Sequence, residues 1–305
     1  MFINVLTQVI ILLILIMIGF VLTKRNILTD EGAKCMTDVV LYIATPCVII
    51  KSFIREFDKS LLKGLIISFV MAVFAHILFI IMSRFMFKKC PEKQKRVLQF
   101  AVIFSNSGFM ALPLQQALLG DLGVFYGASY VAVFNIFTWS YGILLMSGDK
   151  KYLSPKKLII SPGIVGVTVG ILIFVLSIPV PKIVFEPISY MAGLNTPVPM
   201  VVIGYHLANS NFIEGLKNKN SIIAILSRLF IFPLIALAIM YACGIRGTLL
   251  VSSIICCCAP AAAINTMFSA KFDCDTSLSV NLVSVSTILS LISMPIIITL
   301  TQYIA

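Results

Sequence analysis

The chain has 305 residues, 60% of them hydrophobic and only 11% charged, with a mean hydropathy of +1.07 and a formal net charge of +11. A soluble domain of this length has too little interior to hide so much apolar surface. The basic excess lies in short segments between apolar runs, which argues against a nucleic-acid partner and reads as bilayer orientation signals.

Six charge-free runs, 2–23, 97–120, 122–148, 158–181, 247–270 and 276–305, each reach the roughly 20 residues a bilayer requires. With the less uniform segments between them they predict ten spans, at 3–23, 36–54, 61–86, 96–119, 122–146, 158–178, 185–209, 220–243, 247–270 and 276–303. The expected class is an all-α polytopic membrane protein.

Span 1 is followed, not preceded, by Lys24 and Arg25, so it reads as an uncleaved helix with its N-terminus outside. Span 2 carries Thr45-Pro46 and ends at Lys51 and Ser52, polar groups suited to an anion at an outer mouth. Span 3 carries His76, a side chain that titrates near neutral pH. The loop 84–96 is densely basic and anchors the orientation.

Span 4 contains FSNSGFMALPLQQALLG, with Asn106, Ser107, Gly108 and Pro113 inside an apolar run. Proline removes a backbone N–H and clashes with the carbonyl four residues back. Glycine loosens the same turn. Each freed backbone group costs several kcal/mol in hydrocarbon, so such a break belongs where protein buries it or a wet cavity receives it. Span 5 leads into a short basic linker, 148–157, that divides two five-span halves, 1–147 and 158–305.

In the second half, span 7 carries Asn195-Thr196-Pro197 and His206, and span 8 carries Arg228. Arg228 and Lys51 are both expected to snorkel toward headgroups. Span 9 repeats the theme of span 4 in CAPAAAINTMFSA, with Pro260, Asn265 and Thr266. Cys256, Cys257 and Cys258 precede it without metal-ligand spacing and read as packing residues.

Sixteen Lys/Arg fall in or beside the odd-numbered loops and six in or beside the even ones, which predicts both termini outside the cytoplasm. An odd number of spans per half makes the halves face opposite ways, the setting for an inverted repeat. Pro46 pairs with Pro197 and Pro113 with Pro260 at similar offsets, so helices 4 and 9 are expected to be interrupted at corresponding positions of the two halves. Paired interruptions point to a transporter binding site, and half-helix N-termini there suit an anion. Predicted substrate-binding residues are Asn106, Ser107, Gly108, Phe109, Pro113, Pro260, Asn265, Thr45, Thr196, Pro46 and Pro197, with a proton or anion role for His206 or Lys51.

The stretch Asn106-Ser107-Gly108-Phe109-Met110-Ala111-Leu112-Pro113 resembles the N-x-G-F-x-G-x-P signature of the auxin efflux carrier family. The segments at 46–53, 196–208, 228–233, 259–270 and 283–295 extend the resemblance over essentially the whole chain. The resemblance implies ten helices in two inverted repeats, with broken helices 4 and 9 crossing near the midplane at Pro113 and Pro260. Helices 1, 2, 6 and 7 would form a scaffold, and helices 3–5 and 8–10 a transport unit that moves as an elevator. It also implies small organic anions as substrates, auxins or carboxylates such as malate and malonate, and a homodimer in some members. Ala111 departs from the family's glycine, and the long hydrophilic loop of many plant members is replaced by the short linker, so a compact prokaryotic carrier of the inner membrane is expected.

All twelve Asp and Glu lie in loops or near predicted span ends. A cation–proton antiporter normally needs a midplane carboxylate, so that alternative is disfavoured. A non-transporting anion sensor on the same scaffold is the other alternative. No catalytic constellation, metal set or phosphate loop is legible, so neither an enzyme nor a cofactor is expected.

Overall fold

The computed structural model describes residues 2–154, 160–210 and 218–305. The end of the predicted linker, with Lys156 and Lys157, lies outside the described residues. Among the described residues the chain forms twelve longer helices, one 3-10 turn at Lys150–Tyr152 and no strand. The helices are α1 (Phe2–Lys24), α2 (Asp30–Phe53), α3 (Lys59–Arg84), α4 (Glu92–Ile103), α5 (Ser107–Ser147) and α6 (Pro162–Val175). Then come α7 (Lys182–Gly193), α8 (Pro197–Ala208), α9 (Lys219–Ala242), α10 (Gly247–Cys258), α11 (Ile264–Lys271) and α12 (Thr276–Ile304).

Six of these segments are long and apolar enough to cross a membrane: 5–24 within α1, then α2, α3, α5, α9 and α12. Helices α6 and α10 are shorter but apolar. Large apolar side chains such as Ile14, Ile66, Ile77, Leu172, Ile183 and Ile292 face outward, the surface expected where lipid tails are the solvent.

Predicted spans 1, 2, 3, 8 and 10 are single helices. Span 4 is divided between α4 and the start of α5, and span 9 between α10 and α11. Span 7 is divided too, between α7 and α8, a break that its prolines alone did not announce. Span 5 is joined to the second half of span 4 with only Gly120 between them. Gly120 has φ 62° and ψ −156°, a left-handed conformation that glycine adopts without a Cβ penalty.

Three π-helical turns, Val40–Ala44, Ser107–Ala111 and Ser227–Ile231, each end two residues before a proline: Pro46, Pro113 and Pro233. The proline ring clashes with a carbonyl one turn back, and widening that turn moves the carbonyl aside. A fourth π turn, Thr138–Gly142, is followed by no proline.

Helix α1 packs against α8 with almost no side chain between them. A Cβ built on Gly204 would lie 2.1 Å from the Ile16 carbonyl oxygen, and one on Gly19 would lie 2.1 Å from that of Val201. Small residues permit this backbone approach between helices in lipid. Helix α6 packs on α2 through small residues too: a Cβ on Gly166 would meet Pro46, and one on Gly170 would meet the Phe53 ring.

Charged loop residues gather by end. Lys93 pairs with Asp273 at 2.5 Å, Gln94 donates to Asp275, and Arg96 donates to the Met146 carbonyl at 3.2 Å. The hydrogen bond from Lys93 holds the Asp273 carboxyl below its ordinary range.

Candidate functional site: a crossover of two broken helices

The breaks in spans 4 and 9 meet. The Asn106 N–H donates to the Pro260 carbonyl at 2.7 Å, and the Ala262 N–H donates to the Phe104 carbonyl at 3.0 Å. Ser105 and Ala261 thus form a short antiparallel bridge between two unwound segments. The Ala261 N–H donates to the Ser286 hydroxyl of α12 at 3.2 Å. Each break therefore satisfies the other's backbone, which is how interrupted helices are tolerated in an apolar medium.

Asn106 precedes α5, is buried, and accepts the Met110 and Ala111 N–H groups on its backbone carbonyl. Ser107, Phe109, Pro113 and Ala111 are buried on the same turns, and the Ser107 hydroxyl has no partner. A Cβ on Gly108 would meet nothing within 4 Å, so this turn borders open space. Pro260 is buried in the bridge itself. Asn265 is fully buried and donates its amide to the Val97 carbonyl of α4 at 3.2 Å, with its Oδ1 unpartnered.

A second meeting point joins the interruptions of spans 2 and 7. The buried Thr45 hydroxyl donates to Asn195 Oδ1 at 3.0 Å. Thr196 immediately precedes α8 without a side-chain capping bond, with Pro197 next, and Pro46 packs against α6. Between this point and α5 lies a cavity of about 110 Å³ lined by Val48, Lys51, Gln116, Asn195 and Thr196 with the end of α7. That volume holds a few water molecules or a small carboxylate. A larger opening of about 300 Å³ lies in the basic loop beside Lys88, Lys89 and Asn220, away from both meeting points.

Lys51 and Thr196 thus come together with Gln116 and Asn195. Neither of the latter was among the predicted site residues, although Asn195 was noted beside Thr196 and both are polar residues within a turn of a proline. His206 is not brought to either meeting point: its ring is exposed in the last turn of α8, against Tyr205. His76 is fully buried, with Nδ1 2.8 Å from the Ala72 carbonyl and its ring stacked on Phe137.

Arg228 does not snorkel. It is 1% exposed, and its guanidinium donates to the Val102 and Ile103 carbonyls at 3.0 and 3.1 Å and to the Cys257 carbonyl. The π turn of α9 aims it inward, where three backbone acceptors outweigh the reach to a headgroup that was expected of it. Cys256, Cys257 and Cys258 are fully buried, as packing residues should be.

Interrupted helices that meet inside an apolar bundle define a polytopic membrane protein built around a central discontinuity, the architecture of a transporter. The family model described as membrane transport protein matches residues 4–298, and the chain belongs to that family, the auxin efflux carriers and their relatives. An uncharacterized transporter of Methanothermobacter thermautotrophicus is 25% identical over 288 residues, covering 93% of this chain and 94% of that protein. An uncharacterized transporter of Methanocaldococcus jannaschii is 24% identical over 299 residues, covering 93% and 94%.

Proposed function

We propose that this protein is a secondary carrier of a small organic anion, a mono- or dicarboxylate such as malate, malonate or an auxin-like acid. The observation that carries the reading is the joined break at Asn106 and Pro260, with open space beside Gly108 at the start of α5. Helix N-termini present free N–H groups and partial positive charge to an anion. Asn106, Ser107, Gly108, Phe109 and Asn265, with Pro113 and Pro260 holding the backbone open, form the inner part of the site. Lys51, Thr196, Asn195 and Gln116, framed by Pro46 and Pro197, form its outer approach, with Thr45 holding Asn195 in place.

The chain crosses the bilayer ten times as two inverted five-helix repeats, 1–147 and 158–305. Three observations support this arrangement. The close α1–α8 packing has a counterpart in α6–α2, and Thr45 bonds to Asn195 at the matching break of the other half. Lys93, Arg96, Met146 and Asp273 also share one end, as loops 3–4, 5–6 and 9–10 must if spans alternate. Helices of spans 1, 2, 6 and 7 form the scaffold, and the remainder carries the crossover past it as an elevator, in a dimer. Both termini face outside the cytoplasm.

The test is uptake of labelled malate into proteoliposomes, with malonate, succinate, lactate, indole-acetate and sodium chloride as competitors. Saturable uptake blocked by a carboxylate and not by chloride is expected. Absence of carboxylate-inhibited uptake under a potential or a proton gradient overturns the substrate class.

A further inference from the structure

Two half-helices, α4 and α10, end at the crossover, and each leaves carbonyls without helical partners. The C-terminus of a helix carries a partial charge of roughly −0.5, so the two together amount to about one negative charge. Such converging helix ends are where carriers with broken helices hold a coupling cation. Here the place is filled. Arg228 donates to Val102 and Ile103 of α4 and to Cys257 of α10, and so bridges both ends with one guanidinium.

No carboxylate pairs with Arg228 among the described residues. The Tyr130 hydroxyl lies beside it, and its guanidinium sits over the Phe79 ring at 5.3 Å. The buried charge is therefore compensated by the two helix ends. An unpaired ion at this depth is otherwise costly enough to be rare. The fork of arginine suits a site with several separated acceptors, which a single ammonium cannot span equally.

We infer that Arg228 is a tethered cation that occupies, permanently, the position of a coupling ion. The inference rests on the carrier reading above and adds its energetics. Transport needs no sodium or potassium, because the negative helix ends are already neutralised in every state of the cycle. With those ends neutralised, the positive N-terminal ends of α5 and α11 are unopposed, and the crossover selects anions. Arg228 is a positioning residue and does not touch the substrate.

The experiment has two arms. Wild-type carboxylate uptake is measured in sodium, potassium and choline buffers and should agree within about twofold. A strict dependence on one inorganic cation overturns the inference. In the second arm Arg228→Ala is purified and its thermal unfolding followed with and without millimolar guanidinium or methylguanidinium. A saturable upward shift, absent in wild type and in Arg228→Met, whose side chain fills the volume, is expected. A matching recovery of uptake, at least tenfold, should accompany it. No shift and no recovery overturns the inference. Should Arg228→Ala fail to insert, Arg228→Lys serves: partial uptake, raised by neither sodium nor potassium, supports the inference, and a newly acquired sodium requirement overturns it. The stability arm reads guanidinium binding without transport, so failure of the carboxylate reading leaves it interpretable.

Discussion

The N–H of Asn106 points at the carbonyl of Pro260, 154 positions away along the chain, at 2.7 Å. This bond ties the start of one half-helix to the end of another. It engages only the backbone of Asn106, whose side chain belongs to the residue before the first turn of α5, two positions from the open space at Gly108. The backbone role survives substitution, and the side-chain role does not.

Asn106→Ala should therefore reduce carboxylate uptake at least tenfold while leaving expression, insertion and thermal unfolding near wild type. A hydrogen bond to a charged partner is worth roughly 1.5–3 kcal/mol, and tenfold corresponds to about 1.4 kcal/mol. Uptake in proteoliposomes and unfolding in detergent are measured on the same preparation. Full transport by this variant removes Asn106 from the site.

Lys51 lines the cavity beside Gln116 and Thr196 and is half-buried. Its ammonium is a partly screened attraction for an anion, so the expected effect is on apparent affinity more than on turnover. Lys51→Met should raise KM by about three- to tenfold, with a weaker salt dependence than wild type, and Lys51→Arg should restore most of it. Equal salt dependence in wild type and Lys51→Met would falsify the electrostatic role.

The broken helices of spans 4 and 9 were legible because proline, asparagine and glycine stand out inside charge-free runs. Their matched positions in two halves were legible as well, but their meeting was expected only from the family resemblance. Arg228 was not legible. A lone cation in an apolar helix looks the same whether it reaches a headgroup or turns inward, since its partners are backbone carbonyls of residues 102, 103 and 257, which carry no side-chain signature. The break between α7 and α8 was hidden for a related reason: Asn195 is held by Thr45 from 150 positions away. Asn265 and His206 show the limit of residue type as a guide. One bonds to a carbonyl of α4 and the other faces outward, and nothing in their spacing separated the two.

The α1–α8 contact makes a stability prediction. At Gly204 an added methyl would lie 2.1 Å from the Ile16 carbonyl oxygen, and backbone cannot yield as a side-chain tip can. Gly204→Ala should lower stability by about 1–3 kcal/mol or more, the usual cost of overpacking. Gly108→Ala, at a position open within 4 Å, should cost far less. Unfolding in detergent compares the two, and equal losses contradict the packing.

The Thr45–Asn195 bond makes the last prediction, because it joins two interruptions on the side facing the cavity. Thr45→Val removes the hydroxyl and keeps the shape, leaving the buried Asn195 Oδ1 without its donor. An unsatisfied buried acceptor costs about 1–3 kcal/mol. Asn195→Leu should cost less on the background of Thr45→Val than alone, since the pair is already broken. The double-mutant cycle should return a coupling of roughly 0.5–1.5 kcal/mol in stability. Substrate affinity gives the discriminating measurement. Asn195 lines the cavity and Thr45 does not, so Asn195→Leu should weaken carboxylate binding even where Thr45→Val does not. Identical affinity losses in the two single variants would mean that the bond acts on the ligand only through the backbone it holds, and the outer approach would then lose Asn195 as a direct contact.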